Sequence, residues 1–485
     1  MNSAESGSPG VQPPAPAGPG GGPAAGGPGA AGGSGRDVDP AVLLVSRGFL
    51  VLLAVAVVVG VVVSFAAWGF LELVYQVQQE VFVHLPHALG FGSGAPVWWS
   101  LPVLVLAGLV VAWAIVRLPG SGGHVPAEGL KVGGGLVTPE MLPGVVLAGL
   151  ASIGLGVVIG PEAPLIALGA GLGVFVVRLA RSDAPSQMLM VVAAAGSFAA
   201  LSLVFSSPII AAIILIEATG LGGARLPVVL VPGLVGAAIG TLVSIGMGSW
   251  TGLSSSAYAL GPLSLPAFDR PTIGNFGWTI LLGLVVAVVA FAVRSGGLLT
   301  FRVARPRPFL VLPVCGLLVG GLAIVFYEVS GKGVNEVLFS GQDALPGFVS
   351  GAASWSVGAL LLLVVCKGLA YALSLGSFRG GPTFPAIFLG AVGGVLASRL
   401  PGFPVTAAVA VGIGAGTVAI LRLPLSAIVI ASLLTSKSGP GAEPLVIVGV
   451  AVAYLATLKL SAIQTARQSA RPAGSAAPTP SSPPP

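Results

Sequence analysis

A long succession of apolar segments, separated by short polar connections, constrains this chain more than any other feature. Only 7% of its 485 residues are charged and 55% are hydrophobic, whereas a soluble domain carries about 25% charged residues. Such a chain cannot cover a surface that faces water, so lipid must solvate much of its outside. The sequence therefore predicts an all-α, multi-pass membrane protein. The segments run over 44–75, 97–117, 142–159, 161–180, 187–206, 208–220, 226–248, 276–293, 309–327, 355–375, 384–399, 404–421, 424–435 and 444–460.

Several of these segments are shorter than the roughly 20 residues that a full span requires. Glycine and proline also lie inside the apolar region, where they break helices. Broken helices at membrane depth survive only where their freed backbone groups are buried in protein or face a polar cavity. We therefore expect many tilted and broken helices, with half-helices that meet partway through the bilayer, and this arrangement is typical of a transport pathway.

The charged residues favour lipid over nucleic acid as a partner. The formal net charge is +6, but most Lys and Arg residues lie between apolar runs or at their ends, as in the cytoplasmic loops of membrane proteins. Lys367, Arg379 and Arg422 lie in or beside apolar runs. They either shape the electric field for anions or snorkel toward water, and we expect snorkelling. The two tails are of low complexity and are predicted to be disordered and cytoplasmic, at the face of the cell membrane.

An enzyme or a metal site has little support in the sequence. Cys315 and Cys366 lie within apolar runs and share no metal-ligand spacing. His124 and Glu128 have helical i,i+4 spacing, but two ligands do not make a metal site. An intramembrane enzyme needs a nucleophile and a base, or metal ligands, at related depth, and no such pair stands out. We expect no cofactor, no metal and no catalytic residue.

The chain also repeats itself. The motif Gly-Pro-x-x-Pro at 160–164 recurs at 381–385, and a glycine follows each after four mostly apolar residues, at an offset of 221 positions. Pro208 and Pro424 open similar apolar runs at an offset of 216. These matches indicate an internal duplication, and paired interrupted segments in two halves point to a transporter's binding site. The predicted units are the tail 1–39, the repeats 40–250 and 251–467, and the tail 468–485.

Glu162 is the most informative single residue. It lies between two prolines at the start of an apolar run, where a carboxylate at membrane depth costs at least ~2.5 kcal/mol. One interpretation is structural, with backbone N–H groups of a helix N-terminus satisfying the acid. The other is functional. A helix N-terminus inside the membrane binds anions, the carboxylate can occupy that site when the anion does not, and protonation would release it.

Two other breaks and one other acid are candidates. The loop Gly120–Pro126 offers backbone N–H groups and the Ser121 hydroxyl, and the break 380–385 offers a second helix N-terminus. Neutral donors suit an anion that must bind and then leave. Glu217 ends the run 208–217. It is either part of the site or a helix-end residue held by nearby donors, and the sequence leaves both readings open.

The three loops together resemble the signatures of the CLC family of chloride channels and transporters. These signatures are Gly-Ser-Gly-x-Pro, Gly-Lys/Arg-Glu-Gly-Pro and Gly-x-Phe-x-Pro, in this order, and the resemblance covers about residues 44–467. It implies the CLC fold of two antiparallel repeats, in which helix N-termini converge on chloride or a similar small anion. It also implies a homodimer with a separate path in each subunit.

The resemblance carries over to this chain residue by residue. It places Glu162 on the family's gating glutamate and Ser121 on a serine that contacts the anion. The anion-binding residues that it implies are Ser121, Gly122, Gly160, Ala163, Gly381, Thr383 and Phe384.

Several motif positions depart from the family pattern. Two extra residues precede the proline of the first motif. Pro161 replaces the basic residue of the second motif, and Ala163 replaces its second glycine. Thr383 takes the place of the phenylalanine in the third motif, with Phe384 shifted by one position. Pro161 and Pro382 also lack an N–H group, so each removes one potential donor, for which the Thr383 hydroxyl could compensate.

Ala218 bears on the mechanism. Proton-coupled family members often carry a second glutamate immediately after the position of Glu217, where this chain has Ala218. Many exchangers also have a tyrosine near the last helix, where the local match is Leu460. We therefore expect channel-like or weakly proton-coupled chloride transport. A coupled chloride/proton antiporter stays open as an alternative, and so does a relative selective for fluoride or nitrate. Ser121 favours chloride, because fluoride-selective relatives tend to have methionine there and nitrate-selective ones proline.

Overall fold

The computed structural model of the chain describes residues 44–469, apart from 93, 131–135, 221, 224–225 and 252–259. This part of the chain is helical, with one isolated β-bridge between Gly160 and Gly381. The longer helices, in chain order, are α1 (Arg47–Gln79), α2 (Ser100–Arg117), α3 (Leu142–Gly154), α4 (Glu162–Ala180), α5 (Ser186–Phe205), α6 (Pro208–Thr219), α7 (Leu226–Thr251), α8 (Ile273–Ala304), α9 (Pro308–Ser330), α10 (Val357–Ser377), α11 (Thr383–Ala397), α12 (Val405–Leu421), α13 (Pro424–Leu434) and α14 (Glu443–Ser469).

Shorter elements connect these helices. A π-helical turn at Glu80–His84 continues into a short α-helix at Leu85–Ala88, and another short α-helix spans Ala344–Ser350. The 3-10 turns are Val97–Trp99, Pro119–Gly122, Pro126–Glu128, Pro139–Met141, Val334–Glu336, Ala352–Ser354, Ser436–Ser438 and Pro440–Ala442.

The helices confirm the predicted fold class of a multi-pass membrane protein with broken helices. Each predicted apolar segment overlaps one of the longer helices. Within the described ranges, nine helical stretches are long and apolar enough to cross a membrane, and α3, α6, α11, α12 and α13 are shorter apolar helices. The short helices begin or end at the Gly/Pro breaks, because proline fits the first turn of a helix but not its interior.

The internal duplication is visible in the packing. The helices α1–α7 correspond in order to α8–α14. Helix α4 packs on α5 as α11 packs on α12. In the first pair, a Cβ on Gly169 would collide with the carbonyl group of Gly196, and in the second a Cβ on Gly390 would collide with that of Gly412. The glycine that ends each repeated motif therefore allows two helix backbones to touch, as small residues do in membrane proteins.

The limits of the predicted units stay predictions. The repeat boundary expected at 250/251 lies next to residues 252–259, which are outside the described part of the chain. The tail 1–39 also lies outside it, and so do residues 470–485 of the second tail, whose first two residues belong to α14.

Candidate functional site

Glu162 lies at the point where two helix N-termini meet. It is the first residue of α4, follows the N-cap residue Pro161 and is 1% exposed. Its Oε1 accepts a hydrogen bond from the backbone N–H of Thr383, the first residue of α11. Glu162 and Thr383 are equivalent positions of the two repeats, so the acid of one half is held by the helix N-terminus of the other. A helix N-terminus stabilises negative charge through its free N–H groups and its dipole.

Gly160 and Gly381 join the two loops beneath this carboxylate. Each backbone N–H donates to the carbonyl of the other, with N···O distances of 2.8 Å from Gly160 and 2.6 Å from Gly381. A Cβ on Gly381 would overlap the carboxyl group of Glu162, and a Cβ on Gly160 would lie 2.8 Å from Cδ2 of Phe384. The space that a side chain would fill at these glycines is therefore taken by the carboxylate and the Phe384 ring.

Two buried oxygens at this junction have no hydrogen-bond partner within the described part of the chain. They are Oε2 of Glu162 and Oγ1 of Thr383. A buried polar atom without a partner costs free energy, and such atoms mark sites that a ligand or a proton completes. That the Thr383 hydroxyl offsets the missing N–H of Pro382 stays a prediction. Phe384, the next residue of α11, stacks on Phe205 at a centroid distance of 5.2 Å.

The first predicted loop lies apart from Glu162 and is linked to it through Arg379. In the turn Pro119–Gly122, Ser121 is exposed and has a φ of 50°, while Gly120 and Gly122 have φ values of 78° and 70°. Glycine adopts this left-handed region readily, which explains the Gly-Ser-Gly sequence. Nε of Arg379 donates to the Ser121 carbonyl at 3.2 Å.

Arg379 is a site residue whose position the sequence did not reveal. It is buried, its Nη1 donates to the Phe378 carbonyl at 3.2 Å, and its backbone N–H donates to Oγ of Ser152 at 3.3 Å. The expectation that it snorkels to water is wrong, because loop carbonyls inside the protein solvate the guanidinium. It therefore places a fixed positive charge between the first and third motifs. The nearby Pro161, in contrast, replaces a basic residue of the family pattern.

Lys367 is likewise buried rather than snorkelling. Its Nζ donates to the carbonyl groups of Glu336, Val337 and Leu338 at 2.9, 3.2 and 3.1 Å and lies 4.5 Å from the ring centroid of Phe388. The loop that follows α9 thus folds inward around this ammonium group. Burial raises the pKa of the Glu336 side chain in that loop, although the charge of Lys367 opposes the shift.

Tyr371 was not considered from the sequence. This fully buried residue of α10 donates its hydroxyl hydrogen bond to the carbonyl of Pro382, the residue before Thr383. The signal that could have identified it is the presence of a hydroxyl inside an apolar run, because a buried tyrosine requires a partner for its O–H group.

Glu217 lies at a helix junction. Its carboxylate accepts hydrogen bonds from the backbone N–H groups of Leu425 and Ser426 at 2.8 and 2.7 Å and from the Ser426 hydroxyl at 2.6 Å. It therefore caps the N-terminus of α13. Ala218 is half-buried beside it.

Among the described residues, no group of three or more His, Cys, Asp or Glu side chains could hold a metal ion.

Comparisons with known proteins place this arrangement among membrane transporters. The family model described as "Voltage gated chloride channel" matches residues 103–458. A curated relative in Escherichia coli O7:K1, named "Putative ion-transport protein YfeO", is 28% identical over 375 residues, which are 74% of this chain and 82% of the relative. A protein of the same name in Shigella sonnei is 29% identical over the same shares.

Solved structures show the same fold. A slow cyanobacterial Cl−/H+ antiporter superposes with a TM-score of 0.67 at 20% identity, covering 87% of this chain and 98% of that one. A CLC-type fluoride/proton antiporter superposes with a TM-score of 0.61 at 16% identity, covering 84% of this chain and 95% of that one.

Proposed function

Because the chain belongs to the voltage-gated chloride channel (CLC) family, whose members transport anions, we propose that it carries chloride across the membrane along a path that Glu162 gates. The observation that carries the proposal is the hydrogen bond from the Thr383 N–H to Oε1 of Glu162. A carboxylate that occupies a helix N-terminus competes with any anion for the same donors.

This competition explains how Glu162 would open and close the anion path. Glu162 leaves the junction when it swings out or takes a proton on its unpartnered oxygen. Chloride then takes the place of the carboxylate against the Thr383 N–H and hydroxyl groups and the amide of Phe384. Gly160, Ala163 and Gly381 form the surrounding backbone, and Ser121 with Gly122 binds the anion at the other end of the path. Neutral donors let the anion dissociate again.

We propose channel-like or weakly proton-coupled transport. Ala218 cannot carry a proton, and Glu217 is engaged by three hydrogen bonds at the start of α13. An inner proton relay through this pair of positions would have to break those bonds. Glu162 can therefore exchange a proton with the outer side without passing it onward.

Coupled flux measurements test the proposal. Purified protein in liposomes should release chloride down its gradient with little accompanying proton uptake, and Glu162→Gln should make chloride flux independent of pH. Stoichiometric proton uptake driven by a chloride gradient would overturn the weakly coupled form. Chloride flux that keeps its pH dependence in Glu162→Gln would overturn the assignment of the gate.

A coupled chloride/proton antiporter is the second candidate. The unpartnered Oε2 of Glu162 favours it, because this atom is a proton acceptor within the anion path. The two similar proteins of known structure are also antiporters, one for Cl−/H+ and one for fluoride/proton exchange. In this case Glu162→Gln abolishes proton movement while chloride still flows.

Ion preference and assembly belong to the same proposal. Parallel efflux of fluoride and nitrate distinguishes chloride from the other two anions, and Ser121 favours chloride.

We further propose a homodimer in the cell membrane with cytoplasmic tails. Its mass in detergent, and the accessibility of the tails to protease in vesicles of known orientation, test these two points.

A further inference from the structure

A groove opens sideways between α8 and α10, away from the anion path. It has a volume of about 450 Å³, within the range of about 300–1,000 Å³ that small-molecule sites occupy. Apolar side chains of α8, α10 and α11 line it, with Gly393 in its wall and Tyr371 and Arg399 as its polar residues. Leu281 and Leu361 on its walls are 46% and 50% exposed, so the groove opens toward lipid.

The length of the groove matches one leaflet of a bilayer. Its α8 wall runs from Leu281 to Val293, which at 1.5 Å per residue is about 18 Å. Half of a hydrocarbon core that is about 30 Å thick measures about 15 Å. A single acyl chain that lies along the membrane normal therefore fits the groove from end to end.

One end of the groove lies at the membrane–water interface. The indole N–H of Trp278 donates to the Pro401 carbonyl at 3.0 Å, and Trp355 precedes the first turn of α10. Tryptophan is enriched at this level of membrane proteins. Arg399 and Leu400 line the groove at the same end, whereas Tyr371 and Val293 lie at the deep end.

Two positively charged side chains lie at the interfacial end. Nη2 of the exposed Arg399 donates to the carbonyl groups of Ala352 and Trp355 at 2.7 and 3.0 Å, which fix the guanidinium in place. A guanidinium has more N–H donors than these bonds use, and it matches the geometry of phosphate. Nζ of Lys332 lies 4.9 Å from the Trp355 ring centroid, so a second cation flanks the same tryptophan.

We propose that this groove binds a phospholipid with an anionic headgroup. Its acyl chain fills the space between α8 and α10, and its phosphate contacts Arg399 and Lys332. The deep end of the chain contacts Tyr371, whose hydroxyl is bonded to Pro382 at the start of α11. The bound lipid thus supports the helix whose N-terminus holds Glu162.

Lipid binding to the purified full-length protein tests this site. Native mass spectrometry compares phosphatidylglycerol with phosphatidylcholine of identical acyl chains. We expect phosphatidylglycerol to bind about 30-fold more tightly, since each of the two cations contributes about 1 kcal/mol, a factor of about five. Arg399→Gln should reduce this headgroup preference to about fivefold and still bind the chain.

A groove-filling variant tests the chain separately. A Cβ on Gly393 would lie 3.5 Å from Cγ2 of Val286, so a side chain is accepted there, and Gly393→Leu should displace both lipids. Gly321→Leu on α9, where a Cβ meets nothing within 4 Å, is the matched control and should bind as the wild type does. Thermal unfolding in detergent verifies that both variants are folded.

Two results would overturn the proposal. One is equal affinity for the two lipids in the wild-type protein. The other is wild-type lipid binding by folded Gly393→Leu. These binding measurements do not depend on chloride flux, so they test the lipid site independently of the proposed anion gate.

Discussion

Replacing Gly381 with alanine tests the docked position of the Glu162 carboxylate. A Cβ at this position would overlap the carboxyl group of Glu162. Gly381 is not among the glycines with positive φ, so alanine fits the backbone. The reciprocal hydrogen bonds with Gly160 involve only main-chain atoms, and alanine retains them. The substitution therefore acts on the carboxylate and leaves the joint between the repeats in place.

The size of the effect follows from the crowding of the docked carboxylate. When Glu162 moves away, it gives up the hydrogen bond from the Thr383 N–H in the wild type and in the variant alike, so this loss cancels. In the variant, the docked state also carries the overpacked junction, which costs about 1–3 kcal/mol and favours the undocked state. Because each 1.4 kcal/mol is a factor of ten, we expect the undocked population to rise about 5- to 150-fold.

Chloride efflux from liposomes measures this change. Gly381→Ala should release chloride faster than the wild type and with less dependence on pH, up to the rate of Glu162→Ala. It should add nothing in the Glu162→Ala background, because the two substitutions remove the same obstruction. Gly321→Ala on α9 is the control and should behave as the wild type. Wild-type efflux by folded Gly381→Ala, or an equal increase in both backgrounds, would refute the reasoning.

Three further predictions concern other charged residues. Arg379→Gln should weaken the apparent affinity for chloride, read from the concentration dependence of efflux, by about tenfold, because it removes a fixed positive charge near the path, whereas Arg379→Lys should lose less. An identical loss in both variants would indicate a purely structural role. Glu217→Gln should lower stability by about 1 kcal/mol, since it removes the charge that caps α13; an unchanged thermal midpoint in detergent contradicts this. Burial raises the pKa of Glu336, so above its ordinary pKa of about 4.3 the folded protein binds more protons than the unfolded one. Stability should therefore fall as the pH rises from about 4.3 through the raised folded pKa, and Glu336→Gln should reduce that slope in thermal unfolding measured at several pH values.

The helices and the central acid could be predicted because their signals are local. An apolar run bounded by proline or glycine indicates one helix wherever it lies, and the structure has a helix in each predicted run. A carboxylate between Pro161 and Pro164 at the start of such a run is conspicuous in the printed sequence. The offset of 221 positions also identified Glu162 and Thr383 as equivalent residues. It did not indicate that they touch.

The surroundings of the cations could not be predicted because their partners are distant in sequence. Lys367 was expected to snorkel, since a long aliphatic stem in an apolar run usually reaches water. Instead, the loop at 336–339 descends to it and supplies carbonyl oxygens. Arg379 contacts Ser121 across 258 positions. The carboxylate of Glu217 reaches Leu425 across 208 positions. No local pattern encodes such pairs.

The joint between Gly160 and Gly381 has a consequence for the architecture of a one-chain transporter. Two identical half-length chains joined there would present the same side chain at both positions that Glu162 and Thr383 now occupy. Two carboxylates in that space would repel each other, and two threonines would leave nothing that responds to protons. A single continuous chain avoids both outcomes, because its halves can differ. Covalent fusion thus permits one acid to face one neutral hydroxyl at a junction that is otherwise symmetric.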